Sequence, residues 1–111
     1  MIQVLQGSQN IWLLPKIEIL DSLGGAFILT AINDTTKEIR TCMLVDDQSM
    51  IDYRRFPFTE IAAGADPLQS QISLREIGNW TFHLSEALVY TTDPNIQIEL
   101  RQERAFIKPL S

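Results

Sequence analysis

The stretch Ala26-Phe27-Ile28-Leu29-Thr30-Ala31-Ile32-Asn33, then Asp34-Thr35-Thr36-Lys37, then Glu38-Ile39-Arg40-Thr41-Cys42-Met43-Leu44-Val45-Asp46, decides the fold. Two runs of aliphatic, β-branched and aromatic residues flank four small polar residues of the kind that close a hairpin. The pattern predicts strands over Ala26–Asn33 and Glu38–Asp46. Ala26–Ile32 is apolar on both faces, and Thr41–Val45 nearly so. A strand of that kind lies inside a sheet with both sides covered.

The same grammar runs outward in both directions. Gly, Pro, Asn and Asp punctuate short strand-like runs, with no repeat, linker or low-complexity tract. Strands are predicted over Ile2–Gln6, Ile11–Leu14, Lys16–Leu20, Arg55–Ile61 and Trp80–Glu86. Ile96–Leu100 and Ala105–Ile107 follow as one bent strand. Asp21 to Gly25 reads as a turn, and Pro57 places its strand at an edge. Asp66-Pro67-Leu68-Gln69 carries helix-start chemistry, but the alternation of Ile72 and Leu74 with Ser73 and Arg75 favours a strand there. The sum is an all-β sandwich or barrel in a single domain, 1–111, with residues 1–14 as a candidate N-terminal arm.

Composition narrows the function. The chain has 111 residues and a formal net charge of −5, so its surface repels phosphate backbones and general nucleic-acid binding is disfavoured. It has one cysteine and one histidine, which excludes an intrachain disulfide and a Cys/His zinc site. No cofactor motif is present; Gly24-Gly25 lacks the remainder of a phosphate loop. The N-terminus lacks the basic and apolar regions of a signal peptide, and the longest apolar run, Ala26–Ile32, is too short for a bilayer. The expectation is a protein made in the cytoplasm that does not enter a membrane.

Little in the sequence suggests catalysis. His83 and Ser85 share the polar face of one strand, without a nucleophile turn or oxyanion motif beside them. Cys42 sits mid-strand, far from the basic setting that activates a thiol. Asp46, Asp47 and Asp52 crowd one loop without the calcium-loop spacing, and read as a solvated turn facing Arg54 and Arg55. Arg101, Arg104 and Lys108 alternate with Glu99 and Glu103 and form no basic patch. The expected catalytic, cofactor and metal residues are therefore none.

The doubly apolar strands need cover. One sandwich core has only two inner faces. Ile11-Trp12-Leu13-Leu14 adds more apolar surface, so Trp12, Leu14 and Met43 are expected at a contact with another subunit.

Glu76-Ile77-Gly78-Asn79-Trp80-Thr81-Phe82 resembles the D-x-G-x-Y-x-C corner that precedes an immunoglobulin F strand. The resemblance implies an Ig-like antiparallel β-sandwich of roughly seven to nine strands, with Gly78, Trp80 and Phe82 as its anchor. Trp80 has no hydroxyl with which to make the bond of the corner tyrosine. The whole layout resembles small all-β virion proteins of tailed phages, notably those infecting Bacteroidetes. Their pattern is a hairpin like Phe27–Val45, then G-x-[YW]-x-[YF], then an ending similar to Leu100-Arg101-Gln102-Glu103-Arg104-Ala105-Phe106-Ile107. Glu103 stands where a glycine is usual. The resemblance implies a non-enzymatic accessory component of a phage particle, located in the virion. Its partners would be capsid, portal, connector or tail subunits and copies of itself. The alternatives are a small-ligand-binding or enzymatic β-barrel, and a bacterial surface adhesion module, which would normally carry a signal peptide.

Overall fold

The computed structural model describes residues 1–18 and 25–109. Its strands are β1 (Ile2–Leu5), β2 (Gln9–Pro15), β3 (Ala26–Asn33), β4 (Ile39–Leu44), β5 (Tyr53–Glu60), β6 (Gln71–Ile72), β7 (Gly78–Ala87) and β8 (Ile98–Lys108). They form a five-stranded sheet in the order β1-β8-β7-β3-β4 and a three-stranded sheet in the order β2-β5-β6. Among the described residues the protein is an all-β sandwich of eight strands in two sheets. Its accessible surface is 6238 Å², close to the ~6,200 Å² that its mass implies.

The core lies between the sheets. The larger sheet contributes Val4, Phe27, Leu29, Ala31, Cys42, Leu44, Trp80, Phe82, Leu84, Ala105 and Ile107, and the smaller contributes Trp12, Leu14, Phe56, Phe58 and Ile72. Phe82 is the hub. Trp12 and Phe58 meet it edge to face, with ring centroids 5.7 and 5.9 Å away.

The inward row of β5 reads Arg54, Phe56, Phe58, Glu60, all buried. Its two charged ends are each enclosed by partners. The Arg54 guanidinium lies 5.0 Å from the Phe27 ring centre and donates to both Asp46 carboxylate oxygens, at 3.1 and 2.5 Å. At the other end Glu60 accepts from the backbone N–H of Gly7 at 2.7 Å and of Leu74 at 2.8 Å, and from the Arg75 guanidinium. Gln6 adds a bond from its side chain to the Leu74 carbonyl at 2.8 Å. This clamp fixes the turn at Gly7, where the chain leaves the larger sheet and enters the smaller one; Gly7 takes φ 69° there.

Four expectations are corrected. Of the strand expected over Lys16–Leu20, the described part, Lys16–Glu18, is a 3₁₀ turn. Lys16 N–H donates to the carbonyl of Asp52, the last bond of the ladder, just outside the start of β5 at Tyr53. Ile19 and Leu20, and Asp21 to Gly24 of the expected turn, lie outside the described residues. The second correction concerns 67–75, where the helix-start chemistry wins locally. Asp66 caps a 3₁₀ turn over Pro67–Gln69, accepting from Leu68 N–H at 3.1 Å, and the strand shrinks to Gln71–Ile72. Third, β5 is central rather than an edge strand. Its β6 partner reaches only Thr59 and Glu60, so Pro57 still has no strand beside its outer side among the described residues. Fourth, residues 1–14 are no free arm. β1 pairs parallel with β8 and β2 pairs antiparallel with β5.

Candidate functional site

Alternation along β7 turns Trp80, Phe82 and Leu84 inward and Thr81, His83 and Ser85 outward, onto the exposed side of the larger sheet. A shallow groove of about 210 Å³ runs there, lined by Thr30, Ile32, His83, Ser85, Pro94, Gln97 and Glu99. His83 Nδ1 lies in hydrogen-bond contact with the Glu99 carboxylate. Ser85 is two residues along the same strand and only 5% exposed. The bend in β8 brings Glu99 here: Leu84 faces Arg101 while Ser85 faces Glu99, and Leu100 is the extra residue of a bulge. The groove is smaller than sites that enclose drug-sized molecules. It can present an imidazole, a carboxylate and a hydroxyl to a small polar group.

The outer side of β3 is largely covered within the chain itself. Ile28, flanked by Ser85 on β7 and Met43 on β4, is fully buried. Segment 88–97, between β7 and β8, borders this face and creates a second feature at one end of the sandwich. Leu88 and Val89 are 73% and 69% exposed, with Val45, Ile96 and Ile98 also exposed. Two adjoining hollows share Leu88. One, of about 480 Å³, is lined by Ala87, Val89, Asn95, Ile96, Gln97 and Ile98; the other, of about 520 Å³, includes Met43, Val45 and Asp46. An apolar centre with a polar margin of Asp46, Asn95 and Gln97 has the makeup of a protein contact.

The expected site residues are thus redistributed. Trp12 and Leu14 are fully buried between the sheets and cannot contact a subunit; β2 turns them onto Phe56, Phe58 and Phe82, while Ile11 and Leu13 take the outer face. Met43 alone of the three lies on the outside, beside Leu88 and Val45. Gly78 opens β7 at φ 125°, which only glycine adopts without strain, and Trp80 and Phe82 are fully buried behind it. The indole N–H of Trp80 donates to the carbonyl of Glu76, four residues upstream, at 2.8 Å. The bond expected to be missing with the tyrosine hydroxyl is made by a nitrogen instead.

Cys42 is buried in the core, and burial pushes its thiol up to about 12. The aspartate loop is not uniformly solvated, because Arg54 is buried and grips Asp46. Asp47 accepts from the backbone N–H of Ser49 at 2.9 Å, which holds its carboxyl below the usual range, and pairs with Arg55 at 3.4 Å. Asp52 offers its backbone carbonyl to Lys16. Among the described residues no three His, Cys, Asp or Glu side chains gather as a metal centre would need.

Leu88, Val89, Ile96 and Ile98 were missed by sequence reasoning. Their signal was present: an apolar pair directly after a strand, in a segment that Asp93-Pro94-Asn95 marks as a turn.

No protein-family model matches the chain, nor does any curated protein or solved structure. No helix among the described residues is long and apolar enough to cross a membrane.

Proposed function

We propose that this chain is a non-enzymatic docking module that forms part of a phage particle, seated on a capsid, neck or tail subunit through its apolar end. The observation that carries the docking role is the cluster Val45, Leu88, Val89, Ile96 and Ile98, exposed together around two adjoining hollows at one end of the sandwich. Isolated apolar residues on a surface are ordinary, but adjoining ones around two hollows favour a protein partner. The virion assignment rests on the sequence resemblance of the hairpin, the Gly78-Asn79-Trp80-Thr81-Phe82 run and the C-terminal strand. The test is a triple variant, Leu88→Asp, Val89→Ser and Ile96→Asp. It should fold and melt like the parent yet be missing from purified particles in which the parent is found. Equal incorporation of the two would reject the docking role, and absence of the parent from particles would reject the virion assignment.

A second reading, a small-ligand or hydrolytic site, is favoured by the groove that holds His83, Glu99 and Ser85 together. His83→Ala would abolish any turnover of an ester or amide substrate in that case, and would change nothing for a docking module.

A further inference from the structure

The edges of the two sheets are guarded unequally. β1 has four residues and β6 only two. β4 carries Arg40 near its start and has the 67–69 turn packed beside it. Short strands, charges and covering loops are the usual ways of blunting an edge. β2 is the longest of the four edge strands: seven residues, Gln-Asn-Ile-Trp-Leu-Leu-Pro, without a charge, blunted only by Pro15 at its end, and with no strand on its outer side among the described residues.

Its hydrogen-bonding parity follows from the ladder ends. Glu60 N–H donates to the Ser8 carbonyl and Lys16 N–H to the Asp52 carbonyl. In an antiparallel pair the bonded residues alternate. Asn10, Trp12 and Leu14 therefore face β5, while Gln9, Ile11 and Leu13 turn their N–H and C=O groups to the open edge. Pro57, opposite Ile11, falls on a position whose nitrogen points away from β2, in keeping with its missing N–H.

We propose that β2 pairs antiparallel with β2 of a second copy, joining two three-stranded sheets into one of six. The strand is complementary to itself about Trp12. With Trp12 opposite Trp12, each Ile11 meets Leu13 of the second copy on the outer face, and the outward-turned backbone groups of these two residues fall in bonded register. The rows then read Arg55–Leu13–Ile11–Pro57 in both directions across the two-fold axis. Ile11 and Leu13 are 41% and 45% exposed in the single chain and would be covered together. Charge permits the same occupant. Copies of a chain with net charge −5 repel over most of their surfaces. Here the strand is neutral and the outward residues facing it on β5 are Tyr53, Arg55, Pro57 and Thr59, with no acid among them. A strand-edge contact is small, so the dimer should dissociate on dilution. This pairing does not depend on what the apolar end binds.

The test is sedimentation of the full chain across a concentration series, with two variants. Leu13→Pro removes an N–H that faces the open edge and no bond to β5, and the double variant Ile11→Lys with Leu13→Lys charges that edge. The parent should shift from monomer to dimer as concentration rises, while both variants remain monomeric. A parent that is monomeric throughout, or a dimer that survives in both variants, overturns the pairing. If Leu13→Pro fails to fold, the lysine variant decides. Register is checked by mixing an Ile11→Cys chain with a Leu13→Cys chain under oxidation. The mixed disulfide should outweigh either self-linked product, because bonded antiparallel neighbours lie at a bridgeable separation. Predominant self-linking of Ile11→Cys would overturn the register.

Discussion

Trp80 and Glu76 are joined by a hydrogen bond from indole nitrogen to backbone carbonyl, 2.8 Å long, that closes the corner in front of β7. The ring itself is fully buried, so packing and the bond can be separated by substitution. Trp80→Phe keeps most of the packing and loses the bond, which should cost about 1–2 kcal/mol. Trp80→Ala also opens a cavity and should cost about 3–5 kcal/mol. Urea unfolding of the two variants checks this order; a Trp80→Phe variant that unfolds with the parent would mean that the corner bond contributes nothing.

Glu60 is the larger test of the clamp. Glu60→Ala leaves the N–H groups of Gly7 and Leu74 without their acceptor, and should cost about 3 kcal/mol. Arg75→Ala should cost less, because Glu60 keeps both backbone donors and the arginine side chain is 44% exposed. Thermal melts of the pair would show whether the carboxylate or the ion pair holds the turn.

At the opposite end of β5, Asp46 and Asp47 should differ although they are adjacent. Asp46→Ala strips a carboxylate from the buried Arg54 guanidinium and should destabilise by about 2–4 kcal/mol. Asp47 is solvent-exposed, accepting from Ser49 N–H and pairing with Arg55, and Asp47→Ala should melt much closer to the parent than Asp46→Ala does. Matching melts for the two variants would mean that Arg54 does not need Asp46.

Cys42 should resist alkylation in the folded protein and react promptly in denaturant. Its thiol ordinarily ionises near 9.0 and keeps its proton to about 12 when folded. Between those values the folded state binds more protons than the unfolded one. The stability is therefore intact below pH 9.0 and falls as pH rises toward about 12, by about 1.4 kcal/mol per unit. Tyr90 is raised mainly by burial and secondarily by the charge of Cys42, so it adds to the same alkaline loss. Cys42→Ala should flatten the fall in Tm above pH 9.0, and an unchanged slope would place the titration elsewhere.

Deleting residues 1–14 should prevent folding, because it removes Val4, Trp12 and Leu14 from the core along with two strands. A truncated chain with a cooperative melt and the parent's near-ultraviolet circular dichroism would contradict that.

The hairpin from Ala26 to Leu44 was legible because its apolar residues are the β-branched and aliphatic ones that strands favour, and four polar residues separate them. The G-x-W-x-F run was legible for the same local reason. What escaped was set by distant partners. Ile11, Trp12, Leu13 and Leu14 are all apolar, so alternation alone could not decide which pair faces inward; Phe56 and Phe58, more than forty positions away, decide it. Arg54 and Glu60 look like surface residues by type. The aspartate turn did point Asp46 toward Arg54, but not into the interior, and no local pattern announces that Gly7, Leu74 and Arg75 enclose Glu60. The groove at His83 depends on the bulge at Leu100, which a bent strand suggested but could not place.

The pairing of Ile2 with Ala105 joins the first strand to the last. During synthesis β1 therefore emerges first and waits for nearly the whole chain before its partner exists. Contacts so far apart in sequence are slow to close. Until β8 arrives, β7 also lacks one neighbour and the rows of Val4 and Trp80 stand open to water. The nascent chain is thus exposed to wrong partners until β8 has been made, and damage to β8 would be felt at β1.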